Sequence, residues 1–427
     1  MFIRLNDIEY DITNFKHPGG KIINFLSYKK SICDIKKEDN IKTVDSYLTY
    51  SEFHRHSKKA NIVLSKLPNK NISKYLNSDN IYESDKNIEK IKKFIKFRDE
   101  LKDKGYFKPS YFHIFLRMLE LFSLFCIGNY LLYYKNIFSY FLSVLSLGLF
   151  SGRCGWFMHE GGHNSLTTIP YIDKHIQKFF YGFGCFMSGN QWNNMHNKHH
   201  ATPQKVNHDV DLATTPFIAF YNKAIEDTNT KYWSKLWLKY QKYLFPTIIS
   251  GIIVPNFWIY FLHLKRMIYD KDYLNISYVV CGLIIRISLI SYITNWSILF
   301  SYFYNMLTFT FGGIYIFVNF SLSHTSLPIV ESDEHKTWIE YAFEHTYDIN
   351  PNSFIINWWM SYLNCQVIHH LFPGMPQFRQ PEISKMLVNW CKENDINYKI
   401  IDYKTALKLT FTNLNNVGNH YYKLKNE

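Results

Sequence analysis

Seven histidines fall into three short clusters: His159-Glu160-Gly161-Gly162-His163, His196-Asn197-Lys198-His199-His200 and Gln366-Val367-Ile368-His369-His370. Neutral imidazole is the commonest protein ligand for iron and zinc, and one zinc cannot use so many, so the clusters point to two metal ions. His159 and His163 stand four apart, which puts both on one helix face and within reach of one site. His196, His199 and His200 place ligands on adjacent turns plus one neighbour, so the pair at 199 and 200 can address two metals. Gln366 with His369 and His370 repeats that pattern with an amide oxygen in the first place. His324, closing an apolar segment in Asn319-Phe320-Ser321-Leu322-Ser323-His324, is a further candidate ligand. A polar residue on a surface loop is the ordinary reading of a single histidine, and it is kept for His208, His335, His345 and His420, which lack such company.

Histidine-rich sites without thiolates hold iron in a state able to react with oxygen. At a bilayer surface such an oxidant meets acyl chains, which suggests oxidation of an unactivated C–H bond in a lipid. The first cluster also fits the HExxH pattern of zinc proteases, with Glu160 as general base. Against an intramembrane metalloprotease stand Gly161 and Gly162, each weakening a helix by about 1 kcal/mol, and a ligand set larger than a catalytic zinc takes.

The elements that must position these residues are apolar. Residues 119–134 and 137–158 lie just before the first cluster, each near the ~20 residues that cross a hydrocarbon core. Arg117 and Glu120 can pair on one face at the start of the first. Residues 244–264, 278–293 and 298–319 follow the second cluster. If all clusters share one side, an even number of these three crosses, so one is interfacial or re-entrant. The first contains Pro246 and Pro255, and the second carries Arg286 at its centre, a charge that must face protein or water.

The remainder reads as soluble. Residues 1–67 alternate in short runs and turn at His17-Pro18-Gly19-Gly20, residues 68–86 form a polar linker, and residues 87–427 make the membrane domain. Ile88, Ile91, Phe94, Ile95 and Leu101 recur at near-helical spacing in a Lys-rich segment, an amphipathic helix that lies on the membrane or packs on the protein. The net charge of +13 is scattered rather than gathered into a groove, which favours anionic lipid on the cytoplasmic side over nucleic acid. The seven cysteines form no CxxC pair and read as reduced thiols, and no apolar leader opens the chain, so the N-terminal part is expected in the cytosol. The expected fold is an α-helical integral membrane protein of about four transmembrane helices, with interfacial helices and a cytosolic metal-binding cap, behind a small α+β N-terminal domain.

The sequence resembles the membrane-bound fatty acyl desaturases, and within them the front-end group that carries an N-terminal cytochrome b5-like domain. The resemblance rests on Phe97-Arg98-Asp99-Glu100-Leu101, Gly105 through Ser110, Arg153-Cys154-Gly155-Trp156, Met195 through Lys205, His208 through Leu212 and Trp358 through Arg379, and on glutamine at 366. It implies a di-iron centre held by His159, His163, His196, His199, His200, His369 and His370, with His324 and Gln366 as further ligands. It also implies that O2 and two electrons remove two hydrogens from adjacent methylenes, leaving water and a cis double bond. His17-Pro18-Gly19-Gly20 after Tyr10 through Phe15 looks like the haem b motif of cytochrome b5, with His17 as one axial ligand and His54 or His56 as the other. The family's Phe-His-x-x-Ser pattern favours His54. Bis-imidazole ligation leaves electron transfer as that iron's task. The resemblance further implies an acyl-CoA or phospholipid acyl substrate, NADH-cytochrome b5 reductase as electron donor, and residence in the endoplasmic reticulum with both sites facing the cytosol. Gln366-Val367-Ile368-His369-His370 departs from the group's usual Gln-Ile-Glu-His-His. With residues 372–382 and 416–422, that form looks most like Δ5 desaturases of C20 polyunsaturated chains. Δ6, Δ8 and Δ4 acyl desaturases, a sphingolipid desaturase, a hydroxylase and a non-catalytic haem anchor are the alternatives.

Overall fold

The structure, a computed structural model, describes residues 1–34, 45–55, 57–76, 85–226, 232–332, 334 and 336–424. The alternating runs at the N-terminus form β1 (Phe2–Leu5) and β2 (Ile8–Asp11), antiparallel, with Phe2 opposite Asp11 and Leu5 opposite Ile8. β3 (Asn69–Asn71) pairs antiparallel with β2, and Ile72 is buried with Tyr28 and Ile32. The sheet therefore continues beyond residue 67, and the segment read as linker begins inside the N-terminal unit; its residues 77–84 lie outside the described part. Helices α1 (Tyr47–Phe53) and α2 (Lys58–Leu64) contribute Tyr47, Tyr50 and Leu64 to the core formed by Ile3, Leu5, Tyr10 and Ile12.

α3 (Asp85–Asp103) packs on protein: Phe94 and Leu101 are fully buried, and Phe94 stacks on Phe372 with centroids 5.3 Å apart. Of the two placements open to this amphipathic helix, the apolar stripe takes the protein one, because aromatic rings of the C-terminal region offer it a partner.

α4 (Tyr111–Leu131) begins at Ser110, whose Oγ accepts the His113 N–H at 3.2 Å, and α5 (Ile137–Gly162) begins at a capping box of Asn136 and Ser139. Lys135, at φ 49°, turns one helix into the other. α6 (Pro170–Cys185) and α7 (Gly189–Ala201) follow, then the short α8 (Asn222–Glu226) and α9 (Tyr232–Lys239). α10 (Gln241–Tyr269) contains two wide-turn stretches, Phe245–Ile253 and Trp258–His263, around Pro246 and Pro255. α11 (Tyr273–Thr294) and α12 (Ile298–Ser321) are joined through Asn295 at φ 62°. The C-terminal part supplies α13 (Trp338–His345), α14 (Phe354–Trp359), α15 (Gln366–Leu371), α16 (Gln380–Glu393) and α17 (Tyr403–Leu424), with β4 (Asp348–Ile349) parallel to β5 (Ile400–Ile401).

By length and composition, four helices among the described residues can cross a membrane: Tyr111–Tyr134, Ile137–Gly162, Gln241–Tyr269 and Tyr273–Thr294. Their packing separates them. The hairpin turns of α4–α5 and α11–α12 meet at one end, where Leu132, Tyr140, Ile290, Trp296 and Tyr304 cluster. α10 has both its ends away from that cluster. At one, Gln241 Oε1 accepts the Ala219 N–H and Nε2 donates to Leu414 O, each at 2.9 Å; near the other, His263 Nδ1 accepts the Ser188 N–H at 3.0 Å.

α6 runs back along α5 and ends inside the bundle, where its last carbonyls need partners. Arg286 supplies them: Nη1 donates to Gly184 O at 3.2 Å and Ser151 Oγ at 3.0 Å, and Nη2 donates to Thr308 Oγ1 at 3.2 Å. A cation at a helix C-terminus also opposes the negative end of its dipole. The central charge of the second late apolar segment thus faces protein. α5 and α12 approach through Gly148 and Gly312; a Cβ on Gly312 would stand 2.8 Å from Gly148 O, and one on Gly148 would stand 2.8 Å from Thr308 O.

Gly312→Ala should force these helices apart and cost on the order of 1–3 kcal/mol as an overpacked contact. Thermal unfolding of the detergent-solubilised protein checks this, and an unchanged midpoint would show that the helices do not need the close approach.

Candidate metal centre

Four elements bring the predicted histidines together. α5 delivers His159 in its last turn and ends on His163, α7 carries His196, His199 and His200, α15 carries His369 and His370, and the turn after α12 holds His324. They sort into two groups. His159, His163, His196, His200 and His369 place ligand atoms within 4.8 Å of one another, and so do His199, His324 and His370. All are buried except His163, which is half-buried.

Several of these nitrogens have no protein partner: Nε2 of His163, His324 and His369, Nδ1 of His200, and both ring nitrogens of His370. His196 Nε2 and His200 Nε2 face each other at 3.0 Å. A buried polar atom without a partner costs about 1–3 kcal/mol, and here the unsatisfied atoms converge. Two groups of convergent imidazoles, without a thiolate, fit a pair of metal ions and can hold iron. The two groups share the adjacent pairs His199–His200 and His369–His370, as the spacing predicts.

The rings are fixed from behind. His199 Nδ1 lies 2.9 Å from Asp209 Oδ2, and that carboxylate also accepts the Gln204 N–H at 2.7 Å and the Asp211 N–H at 2.9 Å. His324 Nδ1 donates to His345 O at 3.2 Å, and His345 Nδ1 donates to Pro328 O at 2.7 Å. The side-chain amides of Gln377 and Gln380 lie 2.7 Å from His159 Nδ1 and 3.4 Å from His369 Nδ1. Gln366 is buried at the start of α15, one turn before His369 and His370. In His159, His199, His324 and His369 the tie is on Nδ1, which leaves Nε2 for the centre.

Electrostatics favours neutral rings. Burial and neighbouring imidazoles push His163, His196, His200, His369 and His370 far below the ordinary histidine value, and burial together with His199 takes His324 down to about 3. His199 is the exception: burial opposes its charge, yet Asp209 and Asp211 raise it to about 9. The Glu160 carboxylate, beside His159 in the chain, accepts the Gln377 N–H on Oε1 at 3.0 Å.

An apolar cavity opens beside His159 and His196 and runs between α5 and α12 past Trp156 and Ile316 to Cys185, Met187 and Phe309. This site of buried histidines beside an apolar slot lies within residues 136–401, which match the fatty acid desaturase family. The chain belongs to that family. This makes it an oxidoreductase of acyl lipids using O2, in a family that depends on two irons, and it removes the metalloprotease reading. Over nearly its whole length the desaturase is similar to the acyl-lipid (8-3)-desaturase of Thraustochytrium sp (38% identical over 416 residues, 97% of this chain and 92% of that one). It is equally similar to the enzyme of the same name from Rebecca salina (38% over 417 residues, 97% and 91%). The Delta(6)-fatty-acid desaturase fat-3 of Caenorhabditis elegans is more distant (25% over 440 residues, 95% and 93%). No solved structure matches.

In the N-terminal unit of the desaturase, His17 and His54 meet edge-on, with ring centroids 5.9 Å apart and ring planes at 65°. That leaves room for one metal between two ring nitrogens at the ~2.0–2.1 Å typical of metal–imidazole bonds. Gly19 approaches His17 so closely that a Cβ there would stand 2.9 Å from Cε1. His56 and His335 lie outside the described residues. His208 stacks on Phe25 at 4.0 Å, as an ordinary packed histidine does.

The reading of the sequence used Asp209, Asp211, Gln377 and Gln380 only as parts of the stretches that carry the resemblance and gave them no role at the centre, nor any to the backbone of His345. Asp209 had a signal, two carboxylates at 209 and 211 soon after the second cluster ends at His200; the two glutamines had none in their spacing, since only the fold brings residues 377 and 380 behind the rings.

Asp209→Asn removes the charge behind His199. Iron retention should fall by about 10–100-fold, the usual effect of losing such a partner. Iron analysis after dialysis against a graded chelator checks this; wild-type retention would exclude Asp209 from ordering the centre.

Proposed function

We propose that this desaturase is a front-end enzyme that introduces a cis double bond, at Δ5, into C20 polyunsaturated acyl chains. The observation that carries the reading is the apolar cavity with histidines at its head. His159, His163, His196, His200 and His369 would hold one iron and His199, His324 and His370 the other, with Gln366 as a further ligand. Bound there, the iron pair supplies the activation of O2 that C–H cleavage requires. The chain's own residues do the rest. Trp156, Ile316 and Phe309 bind the hydrocarbon and exclude water, and the distance from the histidines to Phe309 fixes how much acyl chain lies beyond the reacting methylenes. A second opening, lined by Gln191, Asn194 and Lys198 of α7, receives the polar end of the substrate. Lys198 there suits the phosphate of a phospholipid or of CoA.

The N-terminal unit is a cytochrome b5-like domain whose haem b is held by His17 and His54 and receives electrons from NADH-cytochrome b5 reductase. α4, α5, α11 and α12 cross the membrane of the endoplasmic reticulum, α10 is re-entrant, and both sites face the cytosol. The Δ5 position is supported by the two (8-3)-desaturases that share 38% identity with the chain.

Yeast expressing the protein and fed C18 and C20 polyenoic acids separately should form a new Δ5 bond in the C20 acids, read by gas chromatography. A Δ6, Δ8 or Δ4 product would replace the regiochemistry and keep the front-end reaction, and a desaturated long-chain base would move the enzyme to sphingolipids. His199→Ala should abolish product while retaining the haem spectrum, and retained product would sink the di-iron assignment. His17→Ala should lose the Soret band yet keep iron; an unchanged haem spectrum would refute His17 as ligand.

A further inference from the structure

The N-terminal unit does not hang free of the metal centre. Leu48 of α1 is buried in the same apolar cluster as Phe94, Trp338 and Phe372. Next to it the Glu52 carboxylate, fully buried, accepts two hydrogen bonds from Arg55 Nη2 at 2.9 and 2.8 Å and lies 3.5 Å from Arg98 Nη1 of α3. Arg98 also donates to Ser51 Oγ at 2.9 Å, and the Arg55 guanidinium sits 3.9 Å over the Phe107 ring. This clamp presents Phe53, the residue before His54, to Trp338 in an edge-to-face contact with centroids 5.8 Å apart. Trp338 is buried at 4% exposure, and its Nε1–H donates to Leu371 O at 3.2 Å. Leu371 follows His370. A single line of bonded or touching groups therefore joins His54 to His370, with no exposed gap.

We propose that electrons pass from the N-terminal domain to the histidine centre along this line, from Phe53 across the Trp338 ring and through the Leu371 carbonyl to His370. The inference rests on the haem and di-iron reading given above. With both groups bound, each event would move one electron, oxidising a ferrous haem and reducing one ferric ion of the pair, while His54 and His370 would hold the two ends of the route. Two such electrons, two protons from water and the two hydrogens leaving the acyl chain reduce one O2 to two waters. Trp338 is a positioning residue here, since it touches neither substrate nor the reacting atoms. A second contact between the two parts, Phe25 stacked on His208, is the competing crossing. It is less direct, because Phe25 stands eight residues from His17 whereas Phe53 adjoins His54, and His208 is linked to the centre by way of its neighbour Asp209 and His199.

The test uses the full chain in nanodiscs with haem and iron bound. Haem is reduced anaerobically and mixed with O2 and an acyl substrate that the wild type converts, and haem reoxidation is followed by its absorbance. Trp338→Leu should slow this on the order of tenfold or more, with Phe53→Leu acting the same way and Trp338→Phe, which keeps a ring, falling between. Haem content and reduction by the reductase should not change. A single turnover started by reducing the irons directly with a small-molecule mediator should also run at the wild-type rate in Trp338→Leu; a loss there would mean that Trp338 only supports the fold, and would overturn the route. Wild-type reoxidation in Trp338→Leu, with slowing in Phe25→Leu instead, would overturn it in favour of the other contact. Absence of a Soret band in the wild type would remove the haem reading itself, a failure distinct from that of the route.

Discussion

Imidazole nitrogens buried together without protein partners are the constraint on which the desaturase is built. Such a set is unfavourable by itself: each ring has lost water, and any proton on one raises the cost for the next, which is why burial and mutual repulsion hold most of them neutral. The arrangement survives because the elements carrying the rings are held elsewhere. α5 is fixed against α12 by glycine contacts, α7 is tied at Ser188 to His263, and α15 is anchored where the Val367 N–H meets Asp348 at 2.7 Å. The centre is thus pre-formed by packing on three sides, and a cation has only to enter it.

The same logic explains the polar groups inside the bundle. Arg286 and Arg153 each lie among apolar helices, yet neither faces hydrocarbon. Arg286 closes the end of α6, and Arg153 Nη2 pairs with Glu120 at 2.7 Å while Nη1 donates to Tyr315 Oη at 3.1 Å and Trp358 O at 3.0 Å. Glu120 is shared further, with Arg117 at 3.0 Å and the Trp358 indole at 2.9 Å. Buried charges of this kind give location more than stability. One sets where α6 stops, and hence the floor of the cavity at Cys185 and Met187. The other ties α14 and the approach to α15 to the first two helices.

Much of this was legible in the sequence because it follows from local spacing. The spacing of four from His159 to His163 already puts both rings on one helix face, the adjacent pairs already divide between two groups, and His324 follows from its place at the end of an apolar segment. The Arg117–Glu120 pair was likewise visible. What was not legible depends on distant segments meeting. Gln377 and Gln380 sit behind His159 and His369 only because the turn after α15 folds back. Hydropathy rates α10 among the helices able to cross and passes over α12, whose Tyr304, Asn305, Thr308, Tyr315 and Asn319 are buried between neighbours, so how each packs is not read from composition. The linker boundary failed for a related reason, since Asn69 to Asn71 are polar and read as coil yet complete a sheet through backbone bonds alone.

The Glu52 clamp raises the question of why a carboxylate is buried at the meeting of the two parts when an apolar contact would dock them as firmly. Taking an ion pair out of water returns little net stability, whereas leaving one partner unpaired costs several kcal/mol. An apolar surface tolerates sliding; a carboxylate gripped by Arg55 and approached by Arg98 does not, because a small shift would strand a buried charge. Arg98 belongs to α3, which is packed on Phe372 immediately after the third histidine cluster. One side chain therefore registers α1, with His54 just beyond its end, against the helix that steadies His369 and His370. The physical worth of the clamp lies in that register, which holds the two histidine sites at one fixed separation instead of a range of them.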